Sequence, residues 1–191
     1  MSKSSITKSG ATHAATKKLV FSAMGIALAM VTSYIKVWEM PMGGSITLMS
    51  MLFICLIGYW FGPKYGLLAG AAYGLLQFIV DPYMLTIPQV ILDYPLAFGA
   101  LGLSGFFSNR KYGLQIGYFA GVLGRFLCST LSGVIFFASF TPKGMNPWAY
   151  SAMYQGGYLG AEAVITLAII SIPPVAKALK QVGAGIRRSW I

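Results

Sequence analysis

Apolar stretches of membrane-crossing length recur along this chain, and no other feature restricts its fold as strongly. A helix needs about 17–25 predominantly apolar residues to span a bilayer. Six such stretches can be read: Leu19–Ile35, Ile46–Phe61, Tyr65–Val80, Val90–Phe107, Leu114–Phe140 and Ala149–Pro173. Only 9% of residues are charged, against roughly 25% in an ordinary soluble domain. The reading is an all-α, polytopic membrane protein with six transmembrane helices in one domain. The second span is short, so it has little tilt or an end held inside protein; the fifth is long enough to tilt or to extend beyond the lipid. Residues 1–18 read as a disordered cytoplasmic tail rather than a signal peptide. Residues 19–176 read as the transmembrane domain and 177–191 as a basic cytoplasmic tail.

Basic residues orient the spans. Lys3, Lys8, Lys17, Lys18, Lys64, Arg110, Lys111, Lys177, Lys180, Arg187 and Arg188 fall on one side. Lys36 and Lys143 fall on the other, and Arg125 lies within a span. The positive-inside rule then places both termini in the cytoplasm. The outer connections are Val37–Ser45, Asp81–Gln89 and Thr141–Trp148, all rich in aromatic and turn residues. The net charge of +10 sits between and beyond the apolar windows and does not argue for nucleic acid.

Several chemistries are excluded. The one histidine, His13, lies in the N-terminal segment. Cys55 and Cys128 lie in apolar windows without ligand spacing and read as small buried hydrophobes, so no metal site is expected. No P-loop, G-x-S-x-G or H-E-x-x-H pattern occurs, and catalysis is not expected. No internal repeat or chain of intramembrane charges is seen, which weighs against ion-coupled secondary transport.

Polar and aromatic groups concentrate in one stretch, Arg125–Gln155. The acidic residues are Glu39, Asp81, Asp93 and Glu162. Asp93 and Glu162 fall inside spans, where a charge costs roughly 2.5–3.5 kcal/mol and therefore pairs or lines a cavity. Asp93 is followed closely by Pro95, which removes a helix donor. Asp93 either pairs with Arg125 or contacts a cationic or amine-bearing solute. Glu162 either packs against a polar neighbour or has a coupling role. Trp38, Tyr83, Tyr94, Phe137, Trp148, Tyr150 and Tyr154 cluster toward the outer side, and an interfacial belt accounts for some of them. Tyr150 and Tyr154 share a helix face beside Gln155. Aromatic walls with a few polar groups describe a pocket for a flat heterocycle. Small residues also recur at helical spacing: Ala23/Ala27, Gly25/Ala29, Gly66/Gly70/Gly74 and Gly113/Gly117/Gly121. Such stripes let helices approach closely, either within the chain or at a docking face for another subunit.

GGSITLMSM (43–51), ILDYPLAFGALGLSG (91–105), SGVIFFASFTPKG (132–144) and the following W-x-Y-S-x-x-Y carry a family resemblance. With them the chain resembles the substrate-binding S components of energy-coupling factor (ECF) vitamin transporters, in the ThiT/YuaJ thiamine-type family. The resemblance implies a capture subunit in a bacterial plasma membrane for thiamine or its hydroxymethylpyrimidine precursor. It implies a transmembrane coupling subunit (EcfT type) and two ATPase subunits as partners, so that ATP is used there and this chain holds no cofactor. It implies that Asp93 and Tyr94 contact the vitamin, that Tyr83 lines the pocket, and that Gly133 and Phe137 lie against the ligand. Tyr150 and Gln155 would meet the pyrimidine side, with Tyr154 on the same face. Trp38 would cover the pocket, with Trp148 near it. Ala23 and Ala27 would dock the coupling subunit. Two positions depart from the family: Ser129 stands where it has histidine, and Gln155 where asparagine is common. A ligand group left without a partner there would cost about 1–3 kcal/mol. A pyridoxine-type ring and a stand-alone secondary transporter are therefore the alternatives.

Overall fold

The computed structural model describes residues 3–40 and 44–188, with side chains from 13 to 186. The chain forms α1 (Lys3–Ser33), a hairpin of β1 (Lys36–Glu39) and β2 (Ser45–Thr47), α2 (Ser50–Phe61), α3 (Pro63–Val80) and a composite α4 (Ile87–Phe107). It continues as α5 (Gly113–Phe136), α6 (Pro147–Ser171) and α7 (Pro173–Arg188). The first six helices occupy the six apolar windows. Residues 13–33 of α1, α4 and α5 are each long and apolar enough to cross a membrane, and α6 joins them when taken with its bent continuation α7.

α2 and α3 do not reach that standard, and the shorter of them, α2, organises the bundle. Its 12 residues reach about 18 Å at 1.5 Å per residue, well short of the roughly 30 Å hydrocarbon core. It is sheathed in protein instead: Met51, Ile54, Cys55 and Ile57 are buried to 0–1% exposure. α1, α3, α4 and α5 all pack around it.

The glycine stripes make this packing possible. Gly66 lies against Gly58 and Gly102, so that an added Cβ would come within 2.6 and 2.8 Å of their Cα atoms. Gly70 and Gly74 abut the backbone of Phe98–Gly99 and Tyr94, while Gly117 and Gly121 abut Ser104 and Leu101. Both stripes are therefore internal seams rather than docking faces. Ser104 Oγ adds a 2.7 Å hydrogen bond to the Cys55 carbonyl. On α1 the faces divide: Gly25 meets Ile57 and Ala29 is buried, whereas Ala23 and Ala27 are exposed.

Several boundaries differ from the sequence expectation. Residues 3–18 continue α1 instead of forming a disordered tail; the segment contains no proline to break the helix. Ile46 and Thr47 leave the second span to pair with β1, Trp38 standing opposite Ile46, so a small hairpin replaces the expected outer loop. The fifth span ends at Phe136, because Phe137 leaves helical geometry (φ −114°, ψ 12°) and 138–140 form one tight turn. The basic C-terminal segment is helical and bends 84° away from α6. Ile172 precedes Pro173 and adopts extended geometry (φ −63°, ψ 120°), the region that a following proline favours. Pro95 widens α4 at 92–96, and tight turns follow over 100–107.

The seam geometry predicts an asymmetry between glycines. A Cβ at Gly102 would lie 2.7 Å from the Gly66 carbonyl oxygen and closer still to the Leu67 amide, whereas one at Gly160 meets nothing within 4 Å. Gly102→Ala should destabilise the detergent-purified protein by about 1–3 kcal/mol or more, read as a lower Tm. Gly160→Ala should leave Tm unchanged.

Candidate functional site

A cavity of about 260 Å³ opens among the ends of the helices that face the hairpin, at the side assigned to the exterior. Its size lies near the lower end of the range for small-molecule sites. Lys36, Asp81 and Tyr83 line its mouth; Asp93, Tyr94, Phe137 and Tyr150 line its walls; Arg125, Ser129 and Glu162 lie further along their helices.

The α4 wall is built around Gln89, which is almost fully buried. Its Nε2 donates to Asp93 Oδ2 at 2.7 Å and to the Tyr83 carbonyl at 3.3 Å, and its Oε1 accepts from the Leu85 amide at 3.1 Å. Tyr94 hydroxyl donates to the Asp81 carbonyl and accepts from the Tyr83 amide, both at 3.1 Å. One helix turn thus fixes the loop 81–85 and aims a carboxylate into the cavity. That loop carries Tyr83, whose ring stacks on Phe137 at 5.7 Å and 21°. On the opposite wall, Tyr150, Tyr154 and Tyr158 form a ladder along α6 with centroid spacings of 6.3 and 6.2 Å.

The Asp93–Arg125 ion pair that the sequence allowed is not formed. Among the described residues the ion pairs are Lys36 with Glu39 at 2.7 Å and with Asp81 at 3.9 Å. Arg125 instead places its guanidinium 3.8 Å above the Phe98 ring, a cation–π contact.

Glu162 lies about four turns into α6 and is 3% exposed. Its Oε2 accepts from the Thr47 amide at 3.2 Å and the Thr47 hydroxyl at 2.7 Å. Its Oε1 accepts from the Ser50 hydroxyl at 3.4 Å and the Met51 amide at 3.2 Å. The residue before α2, Met49, offers no side-chain cap. The carboxylate therefore caps α2 from another helix, where unpaired amides and the helix dipole favour a negative charge.

The hairpin is fastened at two further points. Tyr158 packs its ring on Gly44, where the backbone has φ +83° and a Cβ would sit 2.7 Å from the ring. Lys36 reaches Asp81 across the mouth. The hydrogen bond from Lys36 to Glu39 raises the ammonium pKa above its ordinary value.

Of the residues singled out in the sequence, Tyr83, Asp93, Tyr94, Ser129, Gly133, Phe137, Tyr150, Tyr154 and Gln155 line the cavity. Trp38 is 65% exposed on β1 and Trp148 is 57% exposed in the first turn of α6, and neither lines it. Ala23 and Ala27 lie on the exposed face of α1, away from it. Sequence reasoning missed Lys36, Tyr73, Gln77, Gln89, Phe98 and Tyr158. Gln77 and Gln89 were detectable as amides within or beside apolar windows; Gln77 Nε2 donates to Tyr73 hydroxyl at 2.5 Å. Among the described residues no group of acids, cysteines and histidine could hold a metal ion.

The two departures from the family pattern touch each other. Gln155 Nε2 donates to the Ser129 carbonyl at 3.3 Å, and Gln155 Oε1 accepts from Tyr158 hydroxyl. The longer amide on α6 reaches across to α5 beside the small side chain of Ser129.

Comparison with known proteins gives a consistent answer. The profile of the thiamine transporter protein family (Thia_YuaJ) matches residues 19–181. The thiamine transporter ThiT of Bacillus subtilis is 34% identical over 148 residues, covering 70% of this chain and 77% of that protein. ThiT of Lacticaseibacillus paracasei is 31% identical over 121 residues, covering 54% and 60%. The solved structure of ThiT from Listeria monocytogenes superposes with a TM-score of 0.66 at 25% identity, over 82% of this chain and 94% of that one.

Removing the Glu162 acceptor should loosen the hairpin first. Glu162→Ala leaves buried donors unpaired, at about 1–3 kcal/mol. Amide exchange at Thr47 and Met51 should accelerate by at least roughly fivefold, while amides in the middle of α5 stay as protected as before.

Proposed function

This chain belongs to the thiamine transporter protein family, and we propose that its cavity captures thiamine from outside the cell. It is a multi-pass protein of the bacterial plasma membrane and a transporter rather than an enzyme. The observation that carries the ligand assignment is the set of charges around the cavity. Asp81, Asp93 and Glu162 line it against Lys36 and Arg125, three carboxylates to two cations. Lys36 is itself paired with Glu39 at 2.7 Å, so carboxylates outnumber cations around the cavity, and thiamine brings a single positive charge on its thiazolium ring to meet them.

The remaining chemistry supports the same ligand. The Tyr83–Phe137 stack and the Tyr150–Tyr154 pair offer π-faces, which attract a desolvated cation by roughly 2 kcal/mol. Asp93, held by a single side-chain amide, has acceptor capacity left for the exocyclic amine of an aminopyrimidine. The neutral hydroxymethylpyrimidine precursor could use Asp93 but would leave the formal negative charge unmatched. Gln155 spans toward Ser129 in place of the family's histidine, so the pyrimidine end would be held by Tyr150 and Gln155 with no imidazole.

Energy would come from elsewhere. We propose that the chain acts as an S component, with a transmembrane coupling subunit and two ATPase subunits supplying ATP hydrolysis. Support comes from the exposed Ala23 and Ala27 on α1, which present a small-residue face while Gly25 and Ala29 are used internally. The hairpin, tied to α6 through Glu162 and Tyr158, would serve as the lid.

Equilibrium binding to the purified protein tests the assignment. Asp93→Asn and Tyr150→Ala should each weaken thiamine binding by roughly tenfold or more, about 1.4 kcal/mol. Unchanged affinity in both variants would place the ligand elsewhere. Ala23→Leu with Ala27→Leu should abolish uptake in cells yet leave binding intact; normal uptake would remove the docking assignment.

A further inference from the structure

The charges of this molecule are sorted between its two ends, and the sorting leaves one end without counter-ions. All four acids, Glu39, Asp81, Asp93 and Glu162, lie on the hairpin or line the cavity. At the opposite end, Lys64, Arg110, Lys111, Lys177 and Lys180 are exposed, and among the described residues no Asp or Glu lies there to pair with them.

α7 gives anions a place at this end. It leaves α6 at 84°, so where α6 crosses the membrane α7 runs close to the membrane plane. Its sixteen residues divide by helical period into distinct faces. Leu179 and Gly183 face the bundle: the Leu179 carbonyl accepts from Trp60 Nε1 at 3.2 Å, and Gly183 lies against the Trp60 ring. Beside that contact an apolar edge carries Ala178 and Val182, with Val182 51% exposed. On the far side Lys177 and Lys180 are exposed, with no ion-pair partner among the described residues. One edge clamped on protein, one apolar and one basic is the pattern of a helix seated at the boundary of headgroups and acyl chains.

We propose that α7 is an interfacial helix that binds the headgroups of anionic phospholipids in the cytoplasmic leaflet through Lys177 and Lys180. The Trp60 contact fixes the helix at the depth where its apolar edge enters the acyl boundary and its ammonium groups meet phosphate. The partner is a lipid surface rather than an acidic protein segment, because an exposed apolar edge adjoins the basic one.

The test uses the full chain in nanodiscs of phosphatidylcholine, with or without phosphatidylglycerol, and reads amide exchange across 175–186. Phosphatidylglycerol should slow exchange in α7 by roughly tenfold or more, since each basic residue near an anionic leaflet contributes about 1 kcal/mol and 1.4 kcal/mol is a factor of ten. Lys177→Gln with Lys180→Gln should remove the difference while leaving the protection of α5 unchanged. For the unmodified chain, salt near 1 M should remove it too, because the Debye length falls to about 3 Å. Equal exchange in both lipids, or a full lipid effect retained in the double variant, would overturn the proposal. So would equal protection in phosphatidylcholine discs by added polyglutamate, which would assign the surface to an acidic polypeptide.

Discussion

The carboxylate of Glu162 is the contact on which the cavity depends. It closes the hydrogen-bonding of β2 at Thr47 and of α2 at Ser50 and Met51, all from a helix more than 100 residues away in sequence. Without it, a short helix that cannot cross the bilayer alone would begin with unpaired amides beside a two-stranded hairpin. An isolated hairpin is marginal in water, and this one is made part of the bundle by one acid. The same acid lines the cavity, so the lid strand, the central helix and the solute site share one structural member.

A second constraint follows from how charge is sorted. Carboxylates gather at the outer end, where they surround the cavity and match a cationic solute. Cations gather at the opposite end, which the positive-inside rule assigns to the cytoplasm. The apolar bundle between them is held by glycine seams: α3 on α4, and α4 on α5, approach with backbone against backbone. Such seams fix the helices rigidly, so the walls bearing Asp93, Gly133 and Phe137 keep their positions. The hairpin lies outside these seams and is held at Thr47, at Gly44 and by the Lys36–Asp81 clasp.

Much of this was legible in the sequence, for identifiable reasons. The apolar windows pointed to an all-α polytopic membrane protein with a helix in each window, because hydrocarbon imposes a length rule. Asp93 was legible as a cavity residue because an acid inside an apolar window must be accounted for. What stayed hidden depends on contacts remote in sequence. Ile46 and Thr47 read as helix, since nothing local reveals their pairing with β1 or the cap from Glu162. The C-terminal segment read as a tail, although its basic residues recur with helical period and Pro173 marks a fresh helix start. The glycine stripes read first as internal packing with docking faces as the alternative, and only the structure separates Gly66, Gly70 and Gly74 from Ala23 and Ala27. Ser129 and Gln155 read as separate departures from a family pattern, whereas in three dimensions they form one adjusted contact.

The central claim is that a cavity with more carboxylates than cations selects a cationic vitamin. Calorimetric titration of the purified chain, alone and without ATP, with thiamine and separately with neutral hydroxymethylpyrimidine tests it most directly. The account predicts saturable binding of thiamine at least roughly tenfold tighter than that of the neutral ring, a difference of about 1.4 kcal/mol. Equal or tighter binding of the neutral compound, or no binding of thiamine, would contradict it.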